Sequence, residues 1–563
     1  MTLVAGIDSS TQSCKVIVRD LATGRMVRHG RAAHPPGTVV HPSRWWDALL
    51  AAVHDAEGLD DVAALSVAAQ QHGMVCLDAS GDVVRDAMLW NDTSSALQVV
   101  QLNAELGAEE WVRRTGVPLA VSYTVTKLRW LRDNEPDNAR RTAAVALPHD
   151  YLTWRLRGHG TGSGALEELT TDRSDASGTA YWSGVTGEYC EDLFELGFGR
   201  RAVLPRVLGP TGSAGVTGEG ISGIPPGVPL GVGGGDNAVA ALALGLETGD
   251  AVISLGTSGT VYARTAFPVQ DMTGVVASYS DATGDHLPIV ATLNAARDLD
   301  AATALLGRTR AELDALALQA PPGAGGLTVL PYFEGERTPN LPTARASVHG
   351  LSLANSTPGN LARGMVEAML CSQLVGLQAL QRLGVPVHRL LLIGGGSRSS
   401  AVQSVLPEMV TVPVLVPAPG EYVAEGAAMQ ADAGRCRPDR GRAALGQGHA
   451  SAAAARLATR DHGAARGRQA CARLRLIDGS PTGGGREHGT GVRVGRLRVG
   501  RTGGPDGAGR CPAQRAGAGR LPRAPLPGHA ALGRGRAGRR GRVSAWCTPR
   551  ARTTAGTTPK TTR

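Results

Sequence analysis

The sequence of 563 residues lacks the features of a membrane or secreted protein. It has no run of about 18 apolar residues, the length that a membrane-spanning helix needs. Its N-terminus has no charged segment followed by an apolar stretch and a cleavage site. The eight cysteines form no close pair with the spacing of metal ligands. We therefore expect a cytoplasmic protein without a cysteine metal site.

Acidic residues become scarce after residue 434, and this divides the chain. Residues 435–563 contain 27 Arg and one Lys against five acids, a net charge of +23, whereas residues 1–434 carry −14. The total of +9 therefore does not describe a basic globular protein, which argues against a globular nucleic-acid binder. At about 100 to 200 residues per domain, residues 1–434 are long enough for two or three domains.

The tail, residues 435–563, is rich in Arg, Gly and Ala, and Trp546 is its single aromatic residue. Such a composition buries too little apolar surface to offset the entropy of folding, so we expect a disordered basic C-terminal tail. One interpretation is an arm that contacts nucleic acid non-specifically. The other is that the segment is not in the native reading frame, because a GC-rich gene read out of register gives this mixture.

Strand-like and helix-like segments alternate through residues 1–434, which indicates an α/β fold. Ser43 is the expected N-cap of the helix that opens there. A second helical pattern lies within residues 89–106. The predicted strands include residues 3–7, 15–18 and 62–69.

One local pattern occurs twice: an apolar strand, a turn of Gly and hydroxyl residues, and a second strand. The copies are residues 5–13 (AGIDSSTQS) and 253–262 (ISLGTSGTVY). One copy alone would be an ordinary β-hairpin, but two copies about 248 residues apart suggest a duplicated domain with a nucleotide between its halves. Such turns offer N–H groups and hydroxyls to phosphate. The expected cofactor-binding residues in them are Ser10, Thr11, Gly256 and Thr257.

Only the first turn contains a carboxylate, Asp8, where the second has Gly256. This asymmetry suits Mg²⁺–nucleotide binding, because the carboxylate can hold the metal or its waters while the hydroxyls hold phosphate. The alternative is an Asx-turn acid.

Two glycine runs have the form of a strand, a turn and a helix. In the first, residues 228–237, Asp236 and Asn237 stand at the entrance of the helix, where an Asp can orient and deprotonate an attacking hydroxyl. Ordinary N-capping explains them equally well. The second run, residues 390–399, opens the backbone for an adenine or ribose, although a simple turn is the alternative. Its expected cofactor-binding residues are Gly395, Gly396 and Ser399.

Two longer segments resemble the signatures of the FGGY carbohydrate kinases, which are part of the actin and hexokinase-like group. Residues 122–134 (SYTVTKLRWLRDN) resemble the first signature, and residues 350–367 resemble the second, with Gly364 where Ala or Ser is more usual. Further matching stretches lie at residues 171–179, 330–339 and 421–424.

The resemblance implies two actin/hexokinase-like (ribonuclease H-like) lobes with a central nucleotide cleft, and it implies ATP and Mg²⁺ as cofactors. Residues 1–240 would form the N-terminal lobe for sugar and phosphate, and residues 241–434 the C-terminal lobe for ATP.

Within the family, residues 70–73 (QQHG) and 89–92 (LWND) resemble the branch that phosphorylates D-xylulose, with Gln71 where Met is common. The resemblance implies that Gln71, His72, Asp236 and Asn237 line the sugar, that Asp236 is the base, and that Asp8 and Asp236 face Mg²⁺. His72 could instead be a satisfied core histidine.

Three functions remain open at this point. The first is ATP-dependent phosphorylation of the terminal hydroxyl of D-xylulose, which gives D-xylulose 5-phosphate and ADP. The second is the same reaction on another polyol or keto-sugar, such as ribulose, gluconate or glycerol. The third is a catalytically weak regulator that binds nucleotide or sugar. The expected partners are the sugar and MgATP, with no membrane, nucleic acid contacted only through the tail, and a homodimer left open.

Overall fold

The computed structural model describes residues 2–433, all within one compact unit. The expectations for the tail, residues 435–563, lie outside the described residues. Among the described residues, no helix combines the length and the apolar character needed to cross a membrane.

The first lobe is a mixed α/β layer structure. Its strands are β1 (Leu3–Ser9), β2 (Ser13–Asp20), β3 (Met26–Ala33), β4 (Val39–Val40), β5 (Val62–Ala69), β6 (Val75–Leu77), β7 (Ala87–Met88), β8 (Ala144–Ala146), β9 (Thr170–Asp172), β10 (Arg206–Leu208), β11 (Ser213–Val216), β12 (Pro229–Gly231) and β13 (Gly234–Gly235). Its helices are α1 (Ser43–Asp55), α2 (Ala96–Leu106), α3 (Ala108–Thr115), α4 (Thr124–Asn134), α5 (Pro136–Arg141), α6 (Pro148–Leu156), α7 (Arg173–Ser177), α8 (Glu191–Phe198) and α9 (Asp236–Ala243).

The second lobe repeats this layering. Its strands are β14 (Asp250–Leu255), β15 (Gly259–Ala263), β16 (Ala277–Ser280), β17 (His286–Thr292), β18 (Thr328–Leu330), β19 (Ser347–His349), β20 (Arg389–Ile393) and β21 (Val414–Leu415). Its helices in chain order are α10 (Ala296–Leu306), α11 (Arg310–Gln319), α12 (Pro358–Arg382), α13 (Ser400–Met409) and α14 (Tyr422–Ala433).

The two main sheets share one strand order. In the first, β3, β2 and β1 pair antiparallel, and β5 and β12 continue the sheet in parallel. In the second, β17, β15 and β14 pair antiparallel, and β20 and β21 continue it in parallel. The hairpins β1–β2 and β14–β15 are the two copies of the repeated pattern. The predicted α/β fold with two lobes is therefore confirmed.

Apolar faces of the helices cover the sheets, as amphipathic spacing requires. Helix α1 buries one stripe, consisting of Trp45, Ala48, Leu49, Ala52 and Val53. The prediction that Ser43 caps this helix is wrong: Pro42 occupies the N-cap position, and the Ser43 hydroxyl bonds to Nδ1 of His41 at 2.8 Å. The neighbouring imidazole offers the hydroxyl a nearer partner than the helix amides do.

The last described helix, α14, follows the second sheet in sequence but packs on the first sheet and on α9. Glycine makes this close approach possible. A Cβ on Gly6 would lie 1.9 Å from the carbonyl oxygen of Ala424, and a Cβ on Gly426 would lie 2.0 Å from that of Val239. The chain thus returns to the first lobe and closes it.

The C-terminal part of each signature segment lies in a largely buried helix, α4 or α12. In α4, the fully buried Lys127 donates from Nζ to the carbonyl oxygen of Val121 at 2.7 Å, which fastens the loop that carries Tyr123. In α12, Arg363 bonds to Glu367 at 2.7 Å. A Cβ on Gly364 would lie 2.8 Å from Cδ2 of Leu327, so this departure from the family pattern fits a tightly packed contact.

Candidate active site

A cavity of about 1120 Å³ lies between the two hairpins and the two glycine runs. The first lobe contributes side chains from β1, β2 and the start of α9, and the second contributes them from β14, β15 and the turn after β20. The polar residues of the lining include Asp8, Ser10, Lys15, Asp236, Asn237, Ser254, Tyr262, Ser397, Arg398, Gln403, Glu408, Glu421 and Tyr422. The duplicated pattern therefore places residues of both hairpins around one space.

Asp236 is the first residue of α9, directly after the N-cap Gly235. Asp236 is therefore not the N-cap of this helix. Its Oδ1 accepts hydrogen bonds from the backbone N and the Nδ2 of Asn237, at 2.7 and 2.9 Å. Among the described residues, Oδ2 has no hydrogen-bond partner. Burial, together with the nearby charge of Asp8, raises the pKa of Asp236 to about 6 despite the bonds from Asn237.

Asp8 lies near the end of β1 and is 2% exposed. Burial raises its pKa, and this outweighs the opposite effects of the Ser10 hydroxyl and of Lys15. Lys15 stands opposite Asp8 in the hairpin register, with Nζ 3.7 Å from Oδ2 of Asp8 and 2.5 Å from Oε2 of Glu421. Sequence reasoning missed Lys15, although pairing the two strands across their short turn would have found it.

Gln71 and His72 follow β5 and do not line the cavity. Their hydrogen-bond partners lie in residues 174–178, a segment that contacts the glycine turn before Asp236. Nε2 of Gln71 donates to the carbonyl oxygen of Ser174 at 3.0 Å. A Cβ on Gly235 would lie 2.5 Å from the Gln71 amide, so that side chain rests directly on the turn.

His72 has a positive φ of 70°, a conformation that costs energy for a residue with a side chain. Its Nδ1 bonds to the carbonyl oxygen of Gly178 at 2.7 Å, so Nδ1 carries the proton. Burial lowers the pKa of His72 to about 3, which keeps the ring neutral. Nε2 then holds a lone pair, and it has no partner in the described part of the chain. The ring packs edge-on against Tyr123 with centroids 5.1 Å apart.

Of the seven predicted cofactor-binding residues, two line the cavity and five do not. Ser10 and Gly395 line the cavity. Thr11 instead accepts from Nε1 of Trp90 at 2.9 Å and donates to Gln70 at 3.3 Å. Outside the lining are also Gly256, Thr257, Gly396 and Ser399.

The structural contacts of these four residues explain why they do not line the cavity. The carbonyl oxygen of Gly256 accepts from the backbone N of Ala296 at 2.9 Å, and that of Thr257 accepts from Arg297. A Cβ on Gly396 would meet Leu255 at 2.8 Å. The Ser399 hydroxyl caps α13 and donates to Asp314 at 2.6 Å, a buried structural arrangement.

Two domain families and several known proteins match this chain. The N-terminal domain of the FGGY family of carbohydrate kinases matches residues 3–243, and its C-terminal domain matches residues 251–433. A xylulose kinase of Streptomyces rubiginosus is 44% identical over 438 residues, which are 76% of this chain and 87% of that protein.

The structural matches agree with these sequence matches. The crystal structure of xylulose kinase from Bifidobacterium adolescentis has a TM-score of 0.77 at 44% identity and covers 84% of this chain and 99% of that one. That of gluconate kinase from Lactobacillus acidophilus has a TM-score of 0.76 at 20% identity and covers 85% and 98%, which shows the shared fold alone. The chain belongs to the FGGY family of carbohydrate kinases.

Proposed function

We propose that this protein transfers the terminal phosphoryl group of ATP to the terminal hydroxyl of D-xylulose and releases D-xylulose 5-phosphate and ADP. The observation that carries the proposal is the open Oδ2 of Asp236 at the cavity shared by both sheets. The choice of D-xylulose rests on the relatives at 44% identity, which are xylulose kinases.

Asp236 acts as the base in this proposal. With a pKa of about 6, the carboxylate is mostly ionised at neutral pH, yet it is more basic than an exposed aspartate. The sugar hydroxyl donates its proton to Oδ2 as its oxygen attacks the phosphorus atom, and the bond between that phosphorus and the ADP oxygen breaks. Asn237 holds Oδ1 throughout, so the carboxylate keeps one orientation.

Asp8 and Asp236 fit a magnesium ion. Both carboxylates line the cavity, and the charge of Asp8 helps to raise the pKa of Asp236, so the two repel each other across that space. Carboxylate oxygens are the protein ligands that Mg²⁺ prefers. We infer that these two residues hold the ion or its waters. When bound, Mg²⁺ supplies charge compensation for the phosphate oxygens.

Positioning of the substrates makes up the rest of the mechanism, because phosphoryl transfer depends mainly on alignment and electrostatics. Lys15 carries a positive charge beside Asp8, where it can offset phosphate charge. His72 offers the lone pair of Nε2 to a sugar hydroxyl, and Gln71 is the second sugar contact. Closure of the lobes over the sugar then excludes water that would otherwise hydrolyse ATP.

Sugar-dependent ADP release tests the proposal. The full chain and its Asp236→Asn variant are assayed with MgATP and D-xylulose, D-ribulose, gluconate or glycerol at equal concentrations. We expect kcat/KM to be highest for D-xylulose and the variant to be nearly inactive on all four. A higher value for another acceptor would assign the chain to that substrate. Absence of sugar-dependent ADP release from the full chain would favour a binding regulator and reject the kinase proposal.

A further inference from the structure

A buried histidine lies behind the active-site turn, and the mechanism above does not use it. His149 is the second residue of α6 and is fully buried. Its Nδ1 is 2.7 Å from Oδ2 of Asp175 and 3.2 Å from Oδ1 of Asp150. Its Nε2 is 3.1 Å from the carbonyl oxygen of Val232. Nε2 therefore faces a carbonyl oxygen, which can only accept, and Nδ1 faces the carboxyl oxygens of two aspartates.

The carbonyl oxygen of Val232 places a proton on Nε2, and an ionised Asp175 places a second proton on Nδ1. Burial alone would lower the pKa of the imidazole, but the hydrogen bond to Asp175 and the charges of Asp150 and Asp175 raise it to about 10. His149 is thus an imidazolium at neutral pH. The three side chains lie close enough together to surround a metal ion. A nitrogen that carries a proton has no lone pair for a metal, so the contacts of the ring favour the ion pair.

The imidazolium forms hydrogen bonds to two segments that contact active-site residues. On one side it binds Val232, the residue before the turn of Gly233, Gly234 and Gly235 that leads into Asp236. Gly233 has a φ of 80°, and a Cβ there would lie 2.7 Å from the His149 ring. The ring and the turn are therefore in van der Waals contact, and a displaced ring would displace the turn.

On the other side the imidazolium binds Asp175 in α7, the short helix that carries the partners of the predicted sugar residues. The Ser174 hydroxyl accepts from the backbone N of Gly235 at 3.0 Å, and the Ser174 carbonyl oxygen accepts from Gln71. The carbonyl oxygen of Gly178, just after α7, accepts from His72. One ion pair thus links the base and both sugar contacts.

We propose that the His149 imidazolium is a positioning residue for phosphoryl transfer, holding the turn before Asp236 and the α7 segment in one fixed relation. The proposal rests on the proposed function, because it assigns the network a role in turnover. The positive charge is essential to the role, since a neutral side chain would leave Asp175 buried without its partner. An effect on sugar binding and turnover, with ATP binding unchanged, distinguishes this role from a general contribution to folding.

Four variants test the proposal. His149→Gln removes the charge, and His149→Lys keeps a cation with several donors. His149→Gln combined with Asp175→Asn gives a neutral pair, and His54→Gln, on the exposed side of α1, is the matched control. Each is assayed for kcat and for the KM of D-xylulose and of ATP, and the melting temperature of each is recorded by circular dichroism.

We expect His149→Gln to lose at least 30-fold in kcat/KM for the sugar, with the KM of ATP within twofold of the parent. His149→Lys should stay within about threefold of the parent, the neutral pair should fall between these two, and the control should be unchanged. Equal activity of His149→Gln and His149→Lys, or an equal rise in both KM values, would overturn the proposal.

The remaining outcomes are also decisive. If His149→Gln does not fold, the comparison moves to His149→Lys and the neutral pair, and a less than threefold advantage of the lysine variant overturns the proposal. A parent chain without sugar-dependent ADP release refutes the proposed function itself, and the positioning role is rejected with it. A parent that turns over normally beside an insensitive His149 refutes the positioning role alone.

Discussion

At the scale of single residues, the ionisation of Asp236 predicts how the reaction rate depends on pH. The pKa of about 6 lies above the ordinary aspartate value, and only the ionised form can accept a proton. Activity is therefore present above pH 6 and is lost as the pH falls through 6. We expect kcat/KM for D-xylulose to fall about tenfold per pH unit below that point, with MgATP held well below its KM. A profile that is flat down to pH 4.5 would contradict the assignment.

The Asp236→Asn variant separates the base from a general effect of pH on the protein. We expect kcat to fall by about two to four orders of magnitude, the range for loss of acid–base catalysis. The acid limb of the profile should disappear with it. Sugar binding, measured by calorimetry, should change little, because the amide keeps the shape of the carboxylate. Near-normal turnover of this variant would remove Asp236 from the mechanism.

A further prediction at the scale of single residues concerns His72. Loss of a hydrogen-bond partner for a buried polar group costs about 1 to 3 kcal/mol, a factor of about 5 to 150 in affinity. We expect His72→Ala to raise the KM of D-xylulose by a factor in this range and to leave the KM of ATP nearly unchanged. His29→Ala, an exposed histidine on β3, is the control. Equal effects on both KM values would indicate a core histidine.

Local patterns in the sequence located some site residues and missed others for a physical reason. Asp8 and Asp236 were found because each lies in a motif that is continuous in sequence, a hairpin for Asp8 and a strand, glycine turn and helix for Asp236. Both residues line the cavity. Lys15 depends on pairing across a hairpin, and the contact of His149 with Asp175 spans 26 positions. The register of the short hairpin could have been inferred from the sequence, but the contact of His149 with Asp175 could not, because only the folded chain brings these two residues together.

At the scale of elements, the docking of α14 on β1 can be tested by one methyl group. Because a Cβ on Gly6 would lie 1.9 Å from the backbone oxygen of Ala424, Gly6→Ala forces the helix away from the strand. We expect a loss of about 3 kcal/mol or more in the free energy of unfolding, at the upper end for overpacking. Urea denaturation followed by circular dichroism measures it.

Gly209→Ala is the matched control for this experiment, because a Cβ there meets nothing within 4 Å. We expect its free energy of unfolding to stay within about 0.5 kcal/mol of the parent. If both variants denature at the same urea concentration, α14 does not pack on β1 as the structure has it.

The elements differ in how far the sequence predicted them. The strand at residues 62–69 matches β5 in both bounds, since a continuous apolar run ends where polar residues begin. The helix pattern within residues 89–106 was confirmed only for Ala96–Leu106. Nothing in the sequence indicated that α14 packs on the first sheet, because amphipathic spacing shows which face of a helix is buried but not which element covers it.

At the scale of the whole molecule, duplication explains both the cavity and its asymmetry. The two sheets share one order of strands, so their equivalent hairpins and glycine runs surround one space. Among the hairpin residues that line the cavity, Asp8 of the first hairpin is the one carboxylate. Of the two glycine runs, only the first contains an acid, Asp236. Under the proposed mechanism, the metal and the base would therefore belong to one lobe, which would leave the other lobe for the nucleotide.

The tail, residues 435–563, gives the last two predictions. The match to the C-terminal domain of the family ends at residue 433, as does α14, and no site residue predicted from the sequence lies beyond Ser399. We therefore expect a chain truncated after residue 434 to phosphorylate D-xylulose at least as fast as the full chain. Steady-state kinetics of the two chains measures this directly. Loss of phosphorylation on truncation would show that the tail has a role in the kinase.

The charge of the same tail allows a second measurement on these two chains. Because the tail carries +23, the full chain should bind DNA at low salt without sequence preference, and the affinity should fall steeply as salt is added. The truncated chain, with a net charge of −14, should not bind. Fluorescence anisotropy with two unrelated duplexes over a salt series measures both effects. Binding that differs tenfold between the duplexes would instead indicate base recognition, which composition alone does not provide.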